Sequence, residues 1–506
     1  MPLDQLKEIM IISKIQEEQF SEVKPKTQAS SKWWATIGIS IGVFIFALDV
    51  YIVNLALPIM VKSLHTNFAT IQWVVLSYLL AIAIFVLSAA KLGDMWSKKR
   101  LYIIGLIVFT FSSLLCGLAP NVGFLIAFRA LQGLGAAFIS GLGTAMIVEL
   151  FPAEERGLGL GIRAGVFGLG IMLGPTIGGL LMTLGDWPLI FLINVPIGII
   201  ACLIVAYLVP SSTVDVTQQS FDVIGTLILT ITLTCCTLGI TLLQSEGFGS
   251  STALILLIVS LIGLAGFLLA ESQLSEPMLD LKIFQSLEFS LGLALRFLGN
   301  FVMAGAIFML PFFLKLVKQY PTEEAGLLLA VPPIIIVLTA PIAGILSDRY
   351  GSRIISLIGL LLMAIGCLVI STFDSQLTVV SYILGIIPYG LGVGMFQSPN
   401  NSAIMGAAPK TSLGVASGLL SLSRILGQTA GVPLVGAVFS FVTITNAKLS
   451  ANIDVTNAPI ESLVFGTKIT FLVVSALLLI STIFAVCLWW LEKKNWILRK
   501  ESGVRG

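Results

Sequence analysis

The chain alternates between long apolar stretches and short polar ones. A helix of roughly 20 apolar residues is long enough to cross the hydrocarbon core of a bilayer. The sequence contains fourteen such stretches, and each predicts a membrane-spanning helix, at about 33–57, 71–90, 101–119, 122–147, 158–183, 188–209, 221–243, 251–270, 287–314, 323–346, 354–373, 377–399, 413–443 and 466–491. Pro388, Pro399, Asn400 and Asn401 interrupt the apolar run there, so spans 12 and 13 are the least sharply defined.

The composition indicates an all-α integral membrane protein. Of the 506 residues, 57% are hydrophobic and 11% are charged, whereas soluble domains carry about 25% charged residues. The net charge of +2 gives no indication of a nucleic-acid partner. All six cysteines fall in apolar stretches and the single histidine, His65, falls in a predicted loop. We therefore expect no metal site, no cofactor and no enzymatic activity.

The lysines and arginines predict the orientation. Most of the 28 lie in segments on the side of the N-terminus, whereas the opposite segments carry five, namely Lys62, Lys315, Lys318, Lys448 and Lys468. Basic residues concentrate on the cytosolic side of membrane proteins. We therefore expect a multi-pass protein of the plasma (inner) membrane with both termini in the cytosol.

A short segment with an acidic residue followed by basic ones occurs twice. Gly93, Asp94 and Arg100 belong to the copy between spans 2 and 3, and Gly344, Asp348, Arg349, Gly351 and Arg353 belong to the copy between spans 10 and 11. The repeat predicts two six-helix bundles separated by two additional spans. The predicted domains are a cytosolic tail (1–32), an N-terminal bundle (33–209), two helices with linkers (210–285), a C-terminal bundle (286–492) and a second tail (493–506).

One carboxylate lies deep inside an apolar stretch. Asp49 stands in the first span, about 13 Å before Pro58 at 1.5 Å per residue, if Pro58 marks the outer end of the helix. A charge in hydrocarbon is costly and usually functional, which suggests proton or cation handling. The alternative is a structural carboxylate that is hydrogen-bonded beside Asn54.

Arginines also lie inside predicted spans. Arg129 is about seven residues into the fourth span, where it could pair with Asp49, bind an anionic substrate or extend to the outer surface. Arg163 and Arg424 are close enough to the cytosolic ends of their spans to reach that surface. Arg296 lies in span 9 without an assigned role.

The fifth span carries small residues at a spacing of four. Gly170, Gly174 and Gly178 share one helix face, which allows another helix to approach closely, and Pro175 interrupts the regular hydrogen bonding.

These four motifs together resemble those of the major facilitator superfamily, in particular the fourteen-spanner drug:proton antiporters of the EmrB/QacA type. The resemblance covers about residues 33–492. The chain departs from the family pattern at Tyr51, which replaces a threonine, and at Ala90, Met95 and Ser97 in the first loop copy.

The resemblance implies the major facilitator fold, with fourteen helices arranged as six, two and six. It further implies that Asp49 and Arg129 couple transport to protons, that the two loops latch the cytosolic side, and that the Gly170–Gly178 face is typical of antiporters. Asn54, Gln132, Asn300, Gln397 and Asn400 are candidate cavity residues, with interhelical hydrogen bonding as the alternative.

The sequence thus predicts a proton-coupled exporter of lipophilic drugs or other amphipathic compounds, driven by the proton gradient. Export of a native lipid or metabolite is the main alternative. A membrane enzyme or a passive channel is disfavoured, because the clustered His, Cys or acidic residues of an enzyme are absent and the paired loops indicate a gated machine. Small-molecule substrates and membrane lipids are the expected partners, and a periplasmic adaptor known from relatives has no signature here. The sequence leaves the oligomeric state open.

Overall fold

The computed structural model describes residues 29–151, 156–210, 223–246, 250–273, 281–408, 413–448 and 454–501. Most of the predicted N-terminal tail and parts of the 210–285 linkers and of the C-terminal tail lie outside these ranges. The helices of the first half are α1 (Ala29–Ser63), α2 (Phe68–Met95), α3 (Lys98–Gly117), α4 (Val122–Leu150), α5 (Arg156–Leu184), α6 (Leu189–Leu192) and α7 (Asn194–Leu208). The second half contains α8 (Val223–Glu246), α9 (Ser251–Gln273), α10 (Leu287–Phe312), α11 (Thr322–Tyr350), α12 (Ser352–Ile370), α13 (Val379–Ala407), α14 (Leu413–Ala447) and α15 (Ile460–Glu501).

Fourteen helical segments among the described residues are long and apolar enough to cross a membrane, which confirms the predicted number. The short α6 and α7 together form the sixth span. A 3-10 helix at Leu281–Gln285 precedes α10, and a π-helix at Phe313–Val317 extends it.

Several helices continue past the residues that the sequence suggested as their ends. Helix α1 continues through Pro58 to Ser63, and α13 continues through Pro388 and Pro399 to Ala407. Proline is tolerated inside membrane helices because neighbouring helices satisfy the backbone groups that it frees. Asp49 consequently lies nearer the middle of the first span than the sequence predicted.

The same pairs of helices pack in both halves of the chain. Helix α1 packs on α5, α2 on α4 and α3 on α4, and the equivalent pairs α10 with α14, α11 with α13 and α12 with α13 pack in the second half. Between the halves, α5 contacts α11, and α2 contacts α14. The additional helix α8 packs on α2 and α14, one from each half, and α9 packs on α8. This is the six, two and six arrangement that the sequence predicted.

The two bundles meet at one face of the molecule. We call the face where α1 ends and α2 begins the distal face, and the opposite one the terminal face. At the distal face, the Phe68 ring of α2 packs within 5.8 Å of the rings of Phe308, Phe312 and Phe439. The Phe68 backbone N–H also donates to Asp454 Oδ2 at 2.6 Å. A continuous apolar core therefore joins the bundles on this side.

Toward the terminal face the contacts between the bundles end. A Cβ on Gly326 of α11 would lie 2.7 Å from the Pro175 carbonyl oxygen of α5, whereas a Cβ on Gly165 of α5 would meet nothing within 4 Å. The terminal-side part of the second bundle has a small core of its own, around Phe289 and Ile404. The structure is thus closed at the distal face and open toward the terminal face.

Candidate functional site

Asp49 and Arg129 form a fully buried ion pair inside the first bundle. Arg129 Nη1 lies 2.5 Å from Asp49 Oδ2, and the side chains are 1% and 0% exposed. The pair joins the middle of α1 to the first half of α4. Because the charges compensate each other, this arrangement allows both to remain in an apolar bundle.

Both members of the pair make further hydrogen bonds. Asp49 Oδ1 accepts hydrogen bonds from Gln132 Nε2 and Asn194 Nδ2, both at 3.0 Å. Arg129 Nε donates to the Val74 carbonyl at 2.8 Å, and Arg129 Nη1 also donates to Gln132 Oε1 at 2.6 Å. A buried network of this kind fixes five helices, α1, α2, α3, α4 and α7, around one carboxylate, because Gln132 also donates to Ser113 Oγ of α3.

Aromatic rings cover the arginine. The Arg129 guanidinium carbon lies 4.0 Å from the centroid of the Tyr78 ring and 5.7 Å from that of Phe191. Stacking on ring faces stabilises a guanidinium in a desolvated site. The Tyr78 hydroxyl is buried and has no hydrogen-bond partner in the described part of the chain.

The sequence alternative of an Asp49–Asn54 hydrogen bond is not what the structure contains. Asn54 Nδ2 donates to the Val50 carbonyl of its own helix at 2.7 Å. The amides that bind Asp49 come instead from Gln132 and Asn194. Gln132, expected in the cavity, thus belongs to the ion-pair network.

The glycine face of α5 packs against the Asp49 region of α1. A Cβ added to Gly170 would lie 2.8 Å from the Ala47 Cβ, one on Gly174 would lie 2.9 Å from the Tyr51 Cβ, and one on Gly178 would lie 2.8 Å from Ile52 Cγ1. The neighbouring carbonyl of Pro175 approaches Gly326 of the other bundle, as described above. Helix α5 therefore contacts both the helix that carries the carboxylate and the opposite bundle.

The first loop copy is shorter than the sequence suggested. Helix α2 continues to Met95, and Ser97 rather than Asp94 stands at the N-cap of α3. Gly93 is buried against Leu142 of α4, and Lys98 pairs with Glu149 at 2.8 Å. Arg100 is exposed, and the side chain of Asp94 lies outside the described part of the structure.

The second loop copy also lies mostly within a helix. Gly344, Asp348 and Arg349 belong to the last turns of α11, and the latter two are exposed. Gly351 ends the helix with a φ of 92°, a conformation that favours glycine. Arg353 pairs with Glu288 of α10 at 3.3 Å.

The polar candidates of the second bundle lie near one another on α10 and α13. Asn300 Nδ2 donates to the Arg296 carbonyl of its own helix, while Asn300 Oδ1 is buried without a partner in the described chain. Gln397 Nε2 contacts Met303 Sδ at 3.0 Å, and Asn400 Nδ2 donates to the Gly292 carbonyl at 3.3 Å. Gln397 and Asn400 thus join α13 to α10 of the same bundle, whereas Asn300 bonds within its own helix.

Sequence reasoning did not identify several residues of the site. Asn194 and Tyr78 are uncharged, and polar residues of this kind are common in membrane helices, so neither gave a signal. Arg424, predicted to be within reach of the terminal face, interacts electrostatically with Tyr51 and Tyr78. Among the described residues, no group of three or more His, Cys, Asp or Glu side chains is arranged to hold a metal ion.

Known proteins resemble this chain over most of its length. The family model described as Major Facilitator Superfamily matches residues 39–432 and 296–501. The riboflavin transporter RibZ of Clostridioides difficile is 34% identical over 83% of this chain and 91% of its own length. The multidrug resistance protein Stp of Mycobacterium tuberculosis is 32% identical over 80% of this chain and 75% of its own length.

A solved structure supports the fold. A bacterial homologue of the human lysosomal transporter Spinster, in an inward-facing and unoccupied conformation, aligns with a TM-score of 0.68 at 15% sequence identity. The alignment covers 90% of this chain and 97% of that one.

Proposed function

The chain belongs to the Major Facilitator Superfamily of membrane transporters, and from this premise we propose that it is a proton-coupled antiporter that exports lipophilic or amphipathic compounds. The observation that carries the proposal is the buried Asp49–Arg129 pair within one bundle of a two-bundle fold. A titratable carboxylate that is completely enclosed in a membrane bundle is rare and is typically part of a proton pathway. The likeness to a multidrug resistance protein supports export as the direction.

Protonation of Asp49 is the proposed coupling step. A neutral carboxyl group no longer holds Arg129 by charge, so the network that fixes α1 to α4 weakens. Helix α1 also packs on α5, and α5 contacts α11 of the other bundle. Loss of the charge pair would therefore loosen the helices whose positions determine how the bundles meet.

Alternating access converts this step into transport. The bundles meet at the distal face and separate toward the terminal face. The distribution of lysines and arginines favours a cytosolic terminal face, and with that orientation this conformation would receive substrate from the cytosol. Rocking of the bundles would then open the distal face, where a proton enters and substrate leaves. The proton gradient supplies the free energy, and no cofactor is needed.

Export of a native metabolite is the second candidate. It is favoured by the likeness to a protein named as a riboflavin transporter, which is 34% identical to this chain. The proposed mechanism is the same for either substrate class, because the ion pair lies inside the first bundle and not in the space between the bundles.

The test uses everted membrane vesicles that contain the protein, with rhodamine 6G, rhodamine B and riboflavin as fluorescent probes. We expect accumulation of at least one probe in the wild type and its loss on addition of an uncoupler. Asp49→Asn should abolish the uncoupler-sensitive part while leaving the protein folded. Glu461→Gln, which removes an exposed carboxylate of α15, is the matched control and should retain transport.

Two outcomes would contradict the proposal. Folded wild-type protein that accumulates none of the probes under a proton gradient would argue against this exporter function. Uncoupler-sensitive accumulation that persists in Asp49→Asn would mean that the carboxylate is structural.

A further inference from the structure

Three arginines inside the spans lack the acidic partner that Arg129 has. Arg163 lies on α5, Arg296 on α10 and Arg424 on α14. The ion pairs among the described residues are Lys98–Glu149, Arg129–Asp49 and Arg353–Glu288, and these three arginines take part in none of them. Guanidinium groups remain charged in proteins, so this part of the molecule carries uncompensated positive charge.

Arg424 lies near both of the other arginines, which belong to different bundles. Arg424 is close enough to interact electrostatically with Arg163 of the first bundle and with Arg296 of the second. Their Cα atoms lie 7, 9 and 11 residues from the terminal-side ends of their helices, which corresponds to roughly 10–17 Å along the helix axes. They therefore lie well inside the membrane, on the side where the bundles separate.

Their hydrogen-bonding capacity is only partly used. Arg296 is held in place, since its Nε donates to the Leu420 carbonyl at 2.8 Å and its Nη1 donates to Asn401 Oδ1. By contrast, the Nε of Arg163 is buried with no partner in the described chain. Arg424 makes no hydrogen bond to any described residue, and its side chain is half-buried. Such donors are costly in a membrane unless an anion binds them.

Two tyrosines complete the site at its inner end. Tyr51 and Tyr78 both interact electrostatically with Arg424, and the Tyr78 hydroxyl is buried without a partner in the described residues. Tyr51 stands where the family pattern has threonine, so the sequence departs from that pattern at a residue that interacts electrostatically with Arg424. Phenolic hydroxyls can donate to an anion that the arginines already hold.

We propose that the exported compound carries an anionic group, such as a carboxylate, sulfonate or phosphate, that binds between Arg163 and Arg424 with donors from Tyr51 and Tyr78. This inference rests on the proposed export function and specifies its substrate class. Arginine suits the role because its planar fork binds such oxygens in pairs. A compound whose net charge is positive is repelled by the same three guanidinium groups.

The site also shares a side chain with the proton pair. The Tyr78 ring lies under the Arg129 guanidinium at 4.0 Å, and the same residue interacts electrostatically with Arg424. An anion bound at Arg424 therefore lies one side chain away from the Asp49–Arg129 pair. Binding of substrate and protonation of Asp49 can influence each other through Tyr78.

The experiment compares two dyes that differ at a single carboxyl group. Rhodamine B carries a free carboxylate, and its ethyl ester does not. Purified protein is reconstituted into phosphatidylcholine vesicles with an imposed pH gradient, and the transport of each dye and the accompanying proton flux are measured. We expect the wild type to transport rhodamine B with an apparent affinity about tenfold or more above that for the ester, which corresponds to one charge-assisted hydrogen-bonded contact.

Variants locate the site. Arg424→Gln and Arg163→Gln should each reduce the preference for rhodamine B about tenfold, Arg424→Lys should retain part of it, and Tyr51→Phe should reduce it less. Lys468→Gln, which removes an exposed positive charge on α15, is the control and should leave the preference unchanged.

Arg424→Gln should also raise the unfolding temperature of the substrate-free protein, because it removes repulsion between like charges. A merely structural arginine would have the opposite effect.

The outcomes separate this inference from the proposed function. Proton-coupled transport in which the ester is handled as well as rhodamine B, or a preference unchanged in both glutamine variants, would overturn the anionic site but not the antiporter. Absence of any proton-coupled dye movement in the wild type would instead contradict the antiporter. Loss of rhodamine B binding on addition of phosphatidylglycerol, with no dye transport in pure phosphatidylcholine, would assign the arginines to a lipid headgroup and overturn the substrate site.

Discussion

At the residue scale, the charge of Asp49 has two consequences that oppose each other. The ion pair with Arg129 stabilises the bundle only while both groups are charged, since either charge alone would be buried without compensation. Transport as proposed requires the carboxylate to become neutral during each cycle. The Val74 carbonyl, the Gln132 amide oxygen and the aromatic rings limit this instability, because they stabilise the Arg129 charge with fixed dipoles and ring faces.

A comparison of single and double variants tests this energetic argument. Asp49→Asn leaves the buried Arg129 unpaired and should lower the free energy of unfolding by about 3–5 kcal/mol. Asp49→Asn combined with Arg129→Gln removes both charges and should be less destabilising than the single change. Thermal unfolding of the detergent-solubilised proteins, monitored by size-exclusion chromatography, measures both. Equal losses of unfolding free energy in the single and the double variant would show that the protein stabilises each charge independently of the other.

The charged residues of the site could be predicted from the sequence, whereas their uncharged hydrogen-bond partners could not. Asp49 and Arg129 stand out because charges inside apolar stretches are rare, and their pairing follows from the need for compensation. Asn194 lies 145 positions from Asp49 in the chain, and no local pattern indicates that the two meet. The direction of the Arg424 side chain depends on the packing of α14 against the other bundle, which no local sequence pattern determines.

At the element scale, α1 connects the two candidate sites. Asp49 and Tyr51 are two residues apart, so they point to nearly opposite sides of the helix. Asp49 faces Arg129 inside the first bundle, and Tyr51 interacts electrostatically with Arg424 of the second. A small rotation or shift of α1 would therefore change both environments together. The glycine face of α5 holds α1 at close range and sets the space available for such a movement.

Two glycines of α5 provide a matched test of this contact. Gly174→Ala places a Cβ 2.9 Å from the Tyr51 Cβ and 3.3 Å from the Ile52 backbone nitrogen, so the helices must separate. We expect a loss of about 1–3 kcal/mol in unfolding free energy together with slower transport. Gly165→Ala has open space and should be neutral or stabilising by up to about 1 kcal/mol, because alanine favours the helix. Thermal unfolding and vesicle transport measure both. Equal effects of the two changes would show that close packing of α5 on α1 is unimportant.

The number of membrane helices could be predicted from the sequence more securely than their ends. Apolar length fixes the number, because each span has to cross the same hydrocarbon thickness. The ends depend on backbone hydrogen bonding, which continues beyond the apolar residues. For this reason α2 extends to Met95 and α11 to Tyr350, and polar loop residues of the predicted latches are in fact the last helical turns.

At the scale of the whole molecule, the closed distal face depends on a few contacts between the bundles. Asp454, which precedes α15, accepts a hydrogen bond from the Phe68 backbone N–H at the first turn of α2. A carboxylate at a helix N-terminus is further stabilised by the helix dipole. The two residues are 386 positions apart, so no local pattern indicates this contact. It joins the bundles directly above the Phe68 aromatic cluster.

Removal of this carboxylate should shift the molecule toward opening at the distal face. Asp454→Ala eliminates a charge-assisted hydrogen bond, for which about 1.5–3 kcal/mol is typical, and so should change the ratio of distal-closed to distal-open protein by about tenfold or more. Spin labels on Leu184→Cys and Val380→Cys, in a cysteine-free background, report the distance across the distal face, because both positions are exposed there and belong to different bundles. We expect the population at longer distances to grow.

Asp374→Ala is the matched control for this measurement. Asp374 lies on the same face and accepts a hydrogen bond from the Gln376 backbone N–H within its own bundle. Its removal disturbs a local turn without breaking a contact between the bundles, so the distance distribution should remain that of the unmodified protein. If Asp454→Ala also leaves the distribution unchanged, the aromatic contacts of Phe68 with Phe308, Phe312 and Phe439 hold the distal face closed without this hydrogen bond. An equal shift in both variants would show that local distortion of distal loops, and not the contact between bundles, controls opening.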